Sequence, residues 1–130
     1  MGRKVCRDCI FKLVYQQLFA EDMEPAAALD AIDSNLEVED QKYILQNYND
    51  IMSHYEEITD IISKATEGYV IKRIYKVDLA ILVDAIYEIK YLNEPVPVII
   101  NEAVELAKKY SNEKSPSFIN GVLSKIVNNK

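Results

Sequence analysis

Tight turns, thiols, histidine and long apolar runs are what this sequence has least of. Only three glycines and four prolines occur in 130 residues. Long apolar-rich stretches contain neither, which excludes many short strands joined by tight turns and favours a few helices. Two cysteines, Cys6 and Cys9, cannot form a disulfide framework, and their three-residue spacing on a helix would join them only with strain. A single C-x-x-C with no second pair, and one distant histidine, His54, gives too few ligands for a zinc site. Both thiols are expected on the buried face of a first helix, and no metal or cofactor is expected. No apolar run approaches the roughly 20 residues of a membrane span, and no cleavable hydrophobic leader follows the N-terminal charges. A soluble, cytoplasmic protein without a membrane role is expected, folded as one unit around one core.

Positive charge is scarce in one region only. The formal net charge of −6 is an average over three unequal blocks. Residues 1–20 hold Arg3, Lys4, Arg7 and Lys12 against Asp8, a balance of +3. Residues 21–60 carry twelve acids against Lys42, a balance of −11, and residues 61–130 return +2. A polyanion would be repelled by the middle block and accepted by the first and by parts of the last, so any RNA site must be local.

The segment from about Arg3 to Ala20 places Cys6, Cys9, Ile10, Leu13 and Val14 at helical spacing. Arg3, Lys4, Arg7, Phe11 and Tyr15 share a sector roughly 120° wide beside that apolar side. Two readings of this stripe stand side by side. Its cations can neutralise phosphates while its rings stack unpaired bases, the combination that single-stranded RNA recognition uses. Equally, it can be a solvated face with Phe11 and Tyr15 tucked into a helix contact.

Met23 to Leu36 reads as a short second helix with Asp22 as cap, Pro25 in the first turn, and Ala26, Leu29 and Ile32 inward. From Glu39, the spacing of Tyr43, Ile44, Tyr48, Ile51, Tyr55, Ile58, Ile61 and Ile62 predicts one long helix, or two with a break, ending near Gly68. Its acids are expected to face water as a solubilising surface. Val77 to Leu92 is apolar nearly all round and should be the central helix of the second half. Asp84 and Glu88, four apart in it, have no histidine, cysteine or ligand cluster beside them. They are expected in surface or helix-end hydrogen bonds rather than as an acid/base pair.

Pro95-Val96-Pro97 ends that helix and starts another running to about Tyr110, with Ile99, Ala103, Leu106, Ala107 and Tyr110 inward. Ser115-Pro116 reads as a cap followed by a first-turn proline, and Ile119, Val122, Leu123 and Ile126 give the last helix its buried side. Phe118 lies off the centre of that side. With Lys114 nearby at a helix N-terminus, it marks a place for a nucleotide, against the alternative of ordinary core.

The run from Val77 to Val127, "VDLAILVDAIYEIKYLNEPVPVIINEAVELAKKYSNEKSPSFINGVLSKIV", resembles the NusB family. That family's pattern is a D/E-x-x-I-L-x-x-A-x-Y-E-L helix, then V-P-x-x-V-x-I-N-E-A-V-E-L-A-K, then F-[IV]-N-G-V-L. Tyr87-Glu88, Ile100-Asn101-Glu102-Ala103, Leu106-Ala107-Lys108 and Phe118-Ile119-Asn120-Gly121-Val122-Leu123 occupy those places in order. Upstream, "YVIKRI" at 69–74 is similar to the family's W-s-l-d-R-l step, with Tyr69 in place of the tryptophan and Arg73 on its arginine. "RKVCRDCIFKLVYQQLF" is similar to its R-R-x-A-R-E-x-A-x-x-x-L-Y helix, with Arg7, Asp8 and Tyr15 on the Arg, Glu and Tyr. Residues 21–60 match only in length and helical character.

The resemblance implies an all-α fold of about seven helices in two perpendicular bundles sharing a core, one at about 1–66 and the other at about 67–130. It implies a transcription antitermination factor that binds the boxA segment of nascent ribosomal RNA as a heterodimer with the ribosomal protein NusE, within a complex on RNA polymerase. Self-association into a homodimer is left open. Carried onto this sequence, Arg3, Lys4 and Arg7 would contact phosphates, and Phe118 with the Lys114 loop would approach bases. Phe11 lies in the same stripe, and Tyr15 and Asp78 would lie at the RNA and NusE surfaces. Val5 interrupts the arginine cluster, Val83 stands where many members carry Arg, and Lys114 where some carry an acid. A similar domain also precedes the catalytic domain of some ribosomal RNA cytosine methyltransferases. These 130 residues leave no room for a Rossmann-like methyl-donor domain and hold no Gly-rich loop or catalytic cysteine setting, so no enzyme is expected. The competing class is a helical protein-interaction module without an RNA role.

Overall fold

The computed structural model describes residues 3–20, 22–66 and 71–128. Among these the fold is all-α: α1 (Arg3–Gln17), α2 (Pro25–Ile32), α3 (Val38–Ser53), α4 (Tyr55–Ala65), α5 (Lys76–Tyr91), α6 (Val96–Tyr110) and α7 (Ser115–Asn128), with one 3-10 turn at Ile71–Arg73. The side chain of Arg3, and Gly68 and Tyr69 entirely, lie outside the described residues.

Helix α5 is the axis of the molecule. Every residue from Asp78 to Ile89 is buried, because α1, α3, α4, α6 and α7 all pack against it. A helix enclosed on all sides needs apolar residues all round, and its sequence supplies them. The most enclosed side chains, among them Leu13, Ile44, Ile58, Ile62, Leu82, Ile86, Ile99 and Leu123, come from α1 and from α3 to α7 and form one continuous core. Helix α4 packs on both α5 and α7.

Two local expectations are corrected, at the starts of α2 and α7, and between them the alternative left open after Glu37 is decided. Helix α2 is capped by Glu24, whose side chain accepts the Ala26 N–H at 3.3 Å, rather than by Asp22. It stops at Ile32, where Asp33 turns the chain by accepting the Asn35 N–H, and Ala26 is exposed rather than inward. The long segment after Glu37 is two helices broken at His54, whose N–H bonds to the Ile51 carbonyl and whose ring Nδ1 lies 2.9 Å from the Asp50 carbonyl oxygen. Finally, Ser115 does not cap α7. Asn112 accepts the N–H groups of Lys114 and Ser115, and the Ser115 hydroxyl is turned inward.

Leu82 is fully buried at the centre of α5. Leu82→Ala should therefore cost about 2–5 kcal/mol, read as a lower urea midpoint with an unchanged slope and unchanged helical circular dichroism in the absence of denaturant.

Candidate nucleic-acid interface

The stripe expected on α1 divides between surface and interior. Lys4 and Val5 are exposed, whereas Cys6, Arg7, Cys9, Ile10, Phe11, Leu13 and Val14 are buried. Arg7 reaches across to α5 and grips Glu88 with two parallel bonds, Nε to Oε2 at 2.8 Å and Nη2 to Oε1 at 2.6 Å. The two side chains are only 8% and 7% exposed. Arg7 is thus corrected from a phosphate contact to a buried anchor, because its fork is already filled by a carboxylate. Glu88 holds the Arg7 charge above its ordinary range, against burial.

Asp84 lies one turn before Glu88 and is 2% exposed, so the expected surface or helix-end bonding of this pair is also corrected. Burial, then the charge and hydrogen bond of Glu88, push the Asp84 carboxyl well above the usual carboxylate range, and Arg7 opposes this only in part. Two carboxyls facing one guanidinium are satisfied when one keeps its proton and donates it to the other.

Phe11 is corrected from a base-stacking ring to core. It is 3% exposed, with its ring centroid 5.4 Å from that of Tyr110. Tyr15 is half-buried and meets Phe19 edge-on at 5.0 Å. Phe19, which the sequence reading passed over, is 61% exposed and carries Lys76 Nζ 5.5 Å above its ring. The signal available was an aromatic ladder at i, i+4 through Phe11, Tyr15 and Phe19.

Asp78 is buried and accepts the hydroxyls of Ser111 at 2.6 Å and Ser115 at 2.9 Å. It is therefore corrected from a partner contact to a clasp between the start of α5 and the α6–α7 loop. Beside it, Phe118 packs half-buried against the core and lines a cleft of about 320 Å³ with Arg73, Tyr75 and the exposed Lys114. Of the departures from the family pattern, Val83 is fully buried and Val5 and Lys114 are exposed. A second groove, of about 610 Å³, runs between α1 and α6 past Lys4, Asp8, Glu102, Lys108 and Lys109.

Cys6 and Cys9 are buried in the core, as read from the sequence. Burial pushes the Cys9 thiol up to about 11, which suppresses the thiolate that redox or metal chemistry needs. Among the described residues no cluster of three or more His, Cys, Asp or Glu is placed to hold a metal ion. No helix among them is long and apolar enough to cross a membrane.

Fold and surface together define a small all-helical domain that offers cations and rings around a buried ionic anchor. The family model described as the NusB family matches residues 4–128. The transcription antitermination protein NusB of Acetivibrio thermocellus is 43% identical over 98% of this chain and 89% of its own length. That of Ruminiclostridium cellulolyticum is 38% identical over 97% and 88%. Among solved structures, T. maritima NusB superposes with a TM-score of 0.90 at 30% identity, covering 98% of this chain and 92% of that one. A chain in the crystal structure of antitermination factors NusB and NusE in complex with dsRNA gives 0.86 at 26% identity, covering 98% and 97%. This chain belongs to the NusB family.

Two outcomes test the anchor. Arg7→Ala should destabilise by about 3–5 kcal/mol, since it strands Glu88 in the core, and a denaturant titration reads this directly. Asp84→Asn tests the retained proton. The folded protein holds a proton that the unfolded chain releases, so this group's contribution falls as pH rises above the ordinary Asp value of about 4. The variant should therefore be more stable than the parent at neutral pH, with a flatter stability profile between acidic and neutral pH; an unchanged profile would assign the proton elsewhere.

Proposed function

We propose that this protein is a non-catalytic transcription antitermination factor of the cytoplasm, binding boxA-type nascent ribosomal RNA together with NusE in a complex on RNA polymerase. The observation that carries this reading is near full-length agreement with relatives named for antitermination, joined to a close fold match with the NusB chain crystallised with NusE and RNA. The surface chemistry supports it. Lys4, with Arg3 beside it in sequence, offers phosphate contacts at the head of α1, and Lys114 with Phe118 offers a cation and a ring at the far cleft.

Arg7, Phe11 and Asp78 serve from inside. Arg7 and Phe11 set the angle at which α1 meets its neighbours, and Asp78 fixes the loop that presents Lys114 and Phe118. Tyr15, half-buried beside the exposed Phe19, offers an apolar contact for the protein partner. None of these roles requires a bond to be made or broken.

The reading is tested by binding of labelled single-stranded boxA-like RNA, with and without NusE, across a salt series and beside a scrambled RNA. Selective binding that strengthens with NusE, weakens with salt and falls in an Arg3→Ala/Lys4→Ala variant is the expected result. No preference over scrambled RNA in the presence of NusE would sink the RNA assignment and leave a helical module for protein contacts.

A further inference from the structure

With the Arg7 fork filled by Glu88 at the base of the α1–α6 groove, α1 alone presents few available cations, yet the groove carries lysines on both walls, on α6 beside Glu102 and Glu105. Lys4 stands on the α1 wall, and Lys108 and Lys109, in the last turn of α6, stand on the other. All three are exposed. The groove's acids are largely answered. Asp8 accepts the Tyr110 hydroxyl at 2.8 Å and the Lys12 ammonium at 2.8 Å. Glu105 meets Lys108 only at 3.6 Å in an exposed pair, which is weak enough to yield to a phosphate. Glu102, half-buried, lies near enough to Arg7 to favour its charge.

The end of α6 joins this groove to the second cleft. Lys12 and Lys109 place their Nζ atoms 5.2 and 5.1 Å from the centre of the Tyr110 ring. The next residue, Ser111, donates to Asp78 in the wall of the cleft that holds Lys114 and Phe118. Cations in the last turn of a helix also complement its dipole. That effect accounts for two lysines near a C-terminus, but not for their standing across a nucleotide-sized groove from a third.

We propose that Lys108 and Lys109 form, with Lys4, a two-walled phosphate track that carries the RNA along the α1–α6 seam, past Tyr110 and toward Phe118. The inference rests on the RNA reading above and adds to it the α6 wall, which takes the part that Arg7 cannot. The ligand is the phosphodiester backbone, so the contribution is to affinity and salt dependence rather than to sequence preference.

The test measures boxA-like and scrambled RNA binding by the protein with NusE, for the parent, for Lys108→Ala/Lys109→Ala, and for Lys42→Ala/Lys64→Ala. The last pair removes the same charge from exposed sites on α3 and α4. With about 0.7 of salt slope per single-strand phosphate, the α6 pair should lower the slope by about 1.4 and weaken binding by about tenfold near 0.15 M salt. Selectivity over scrambled RNA should persist, and the control pair should change affinity less than about twofold.

Selective binding by the parent with no loss in the α6 pair, or an equal loss in both pairs, would overturn the track and leave the functional reading intact. A matching loss of NusE affinity without RNA would reassign the α6 wall to the protein partner. If the parent itself does not select boxA-like RNA, both inferences fall together.

Discussion

The buried bond between Arg7 and Glu88 is the constraint on which the rest of the surface depends. It links residues 81 apart in sequence and fixes the first helix against the central one. A carboxylate buried in the core has to be met by a cation, and a guanidinium meets it with two bonds in one plane, which sets distance and rotation together. Such a pair adds little net stability over an apolar core but makes alternative dockings costly, because any slip leaves a charge unpaired. Another link from α1 to its surroundings, Tyr110 to Asp8, lies one residue further along the same helix. With both made, the direction of Lys4 and the width of the α1–α6 groove follow.

The helices were legible because burial imposes a period. The continuous apolar segment read as Val77–Leu92 is the helix Lys76–Tyr91, and the proline step at 95–97 starts α6 where the missing N–H and fixed φ of proline suit a first turn. The site was legible only in part, for reasons of tertiary pairing. A helical wheel puts Arg7 at the border of the apolar side, where the angle cannot say whether a guanidinium turns to water or to a partner many residues away. The clue was on the other helix: Asp84 and Glu88 are carboxyls on an apolar helix with no cation of their own within reach except Lys90, which pairs instead with Glu57. The Ser115-Pro116 signature marked the start of a helix correctly and misassigned the hydroxyl. A buried carboxylate, Asp78, is a stronger acceptor than the serine is a cap, so Asn112 took over the capping.

The charge distribution then decides what the surface can recognise. The acids of residues 22–60 lie on α2, α3, α4 and their connections, while the cations at issue lie at the head of α1, the end of α6 and the loop before α7. At physiological salt a charge is felt over about 8 Å, so a strand following the cations is attracted locally although the molecule carries −6 overall. Beyond that distance the net charge repels a polyanion, and the uneven distribution turns the molecule so that its cationic side leads.

That balance limits how the protein can act alone. A handful of phosphate contacts gives a modest and salt-sensitive electrostatic term, and the long-range repulsion works against it. Sequence preference has to come from bases held at rings and backbone groups, which requires the strand to stay bound long enough to be read. A second protein contributing cations and contact area beside the same strand supplies that residence without any change in this chain, since two linked surfaces raise the effective concentration of each for the RNA. An acidic helical protein with a narrow row of cations leading to a half-buried ring is physically suited to be one half of such a pair rather than an independent RNA binder.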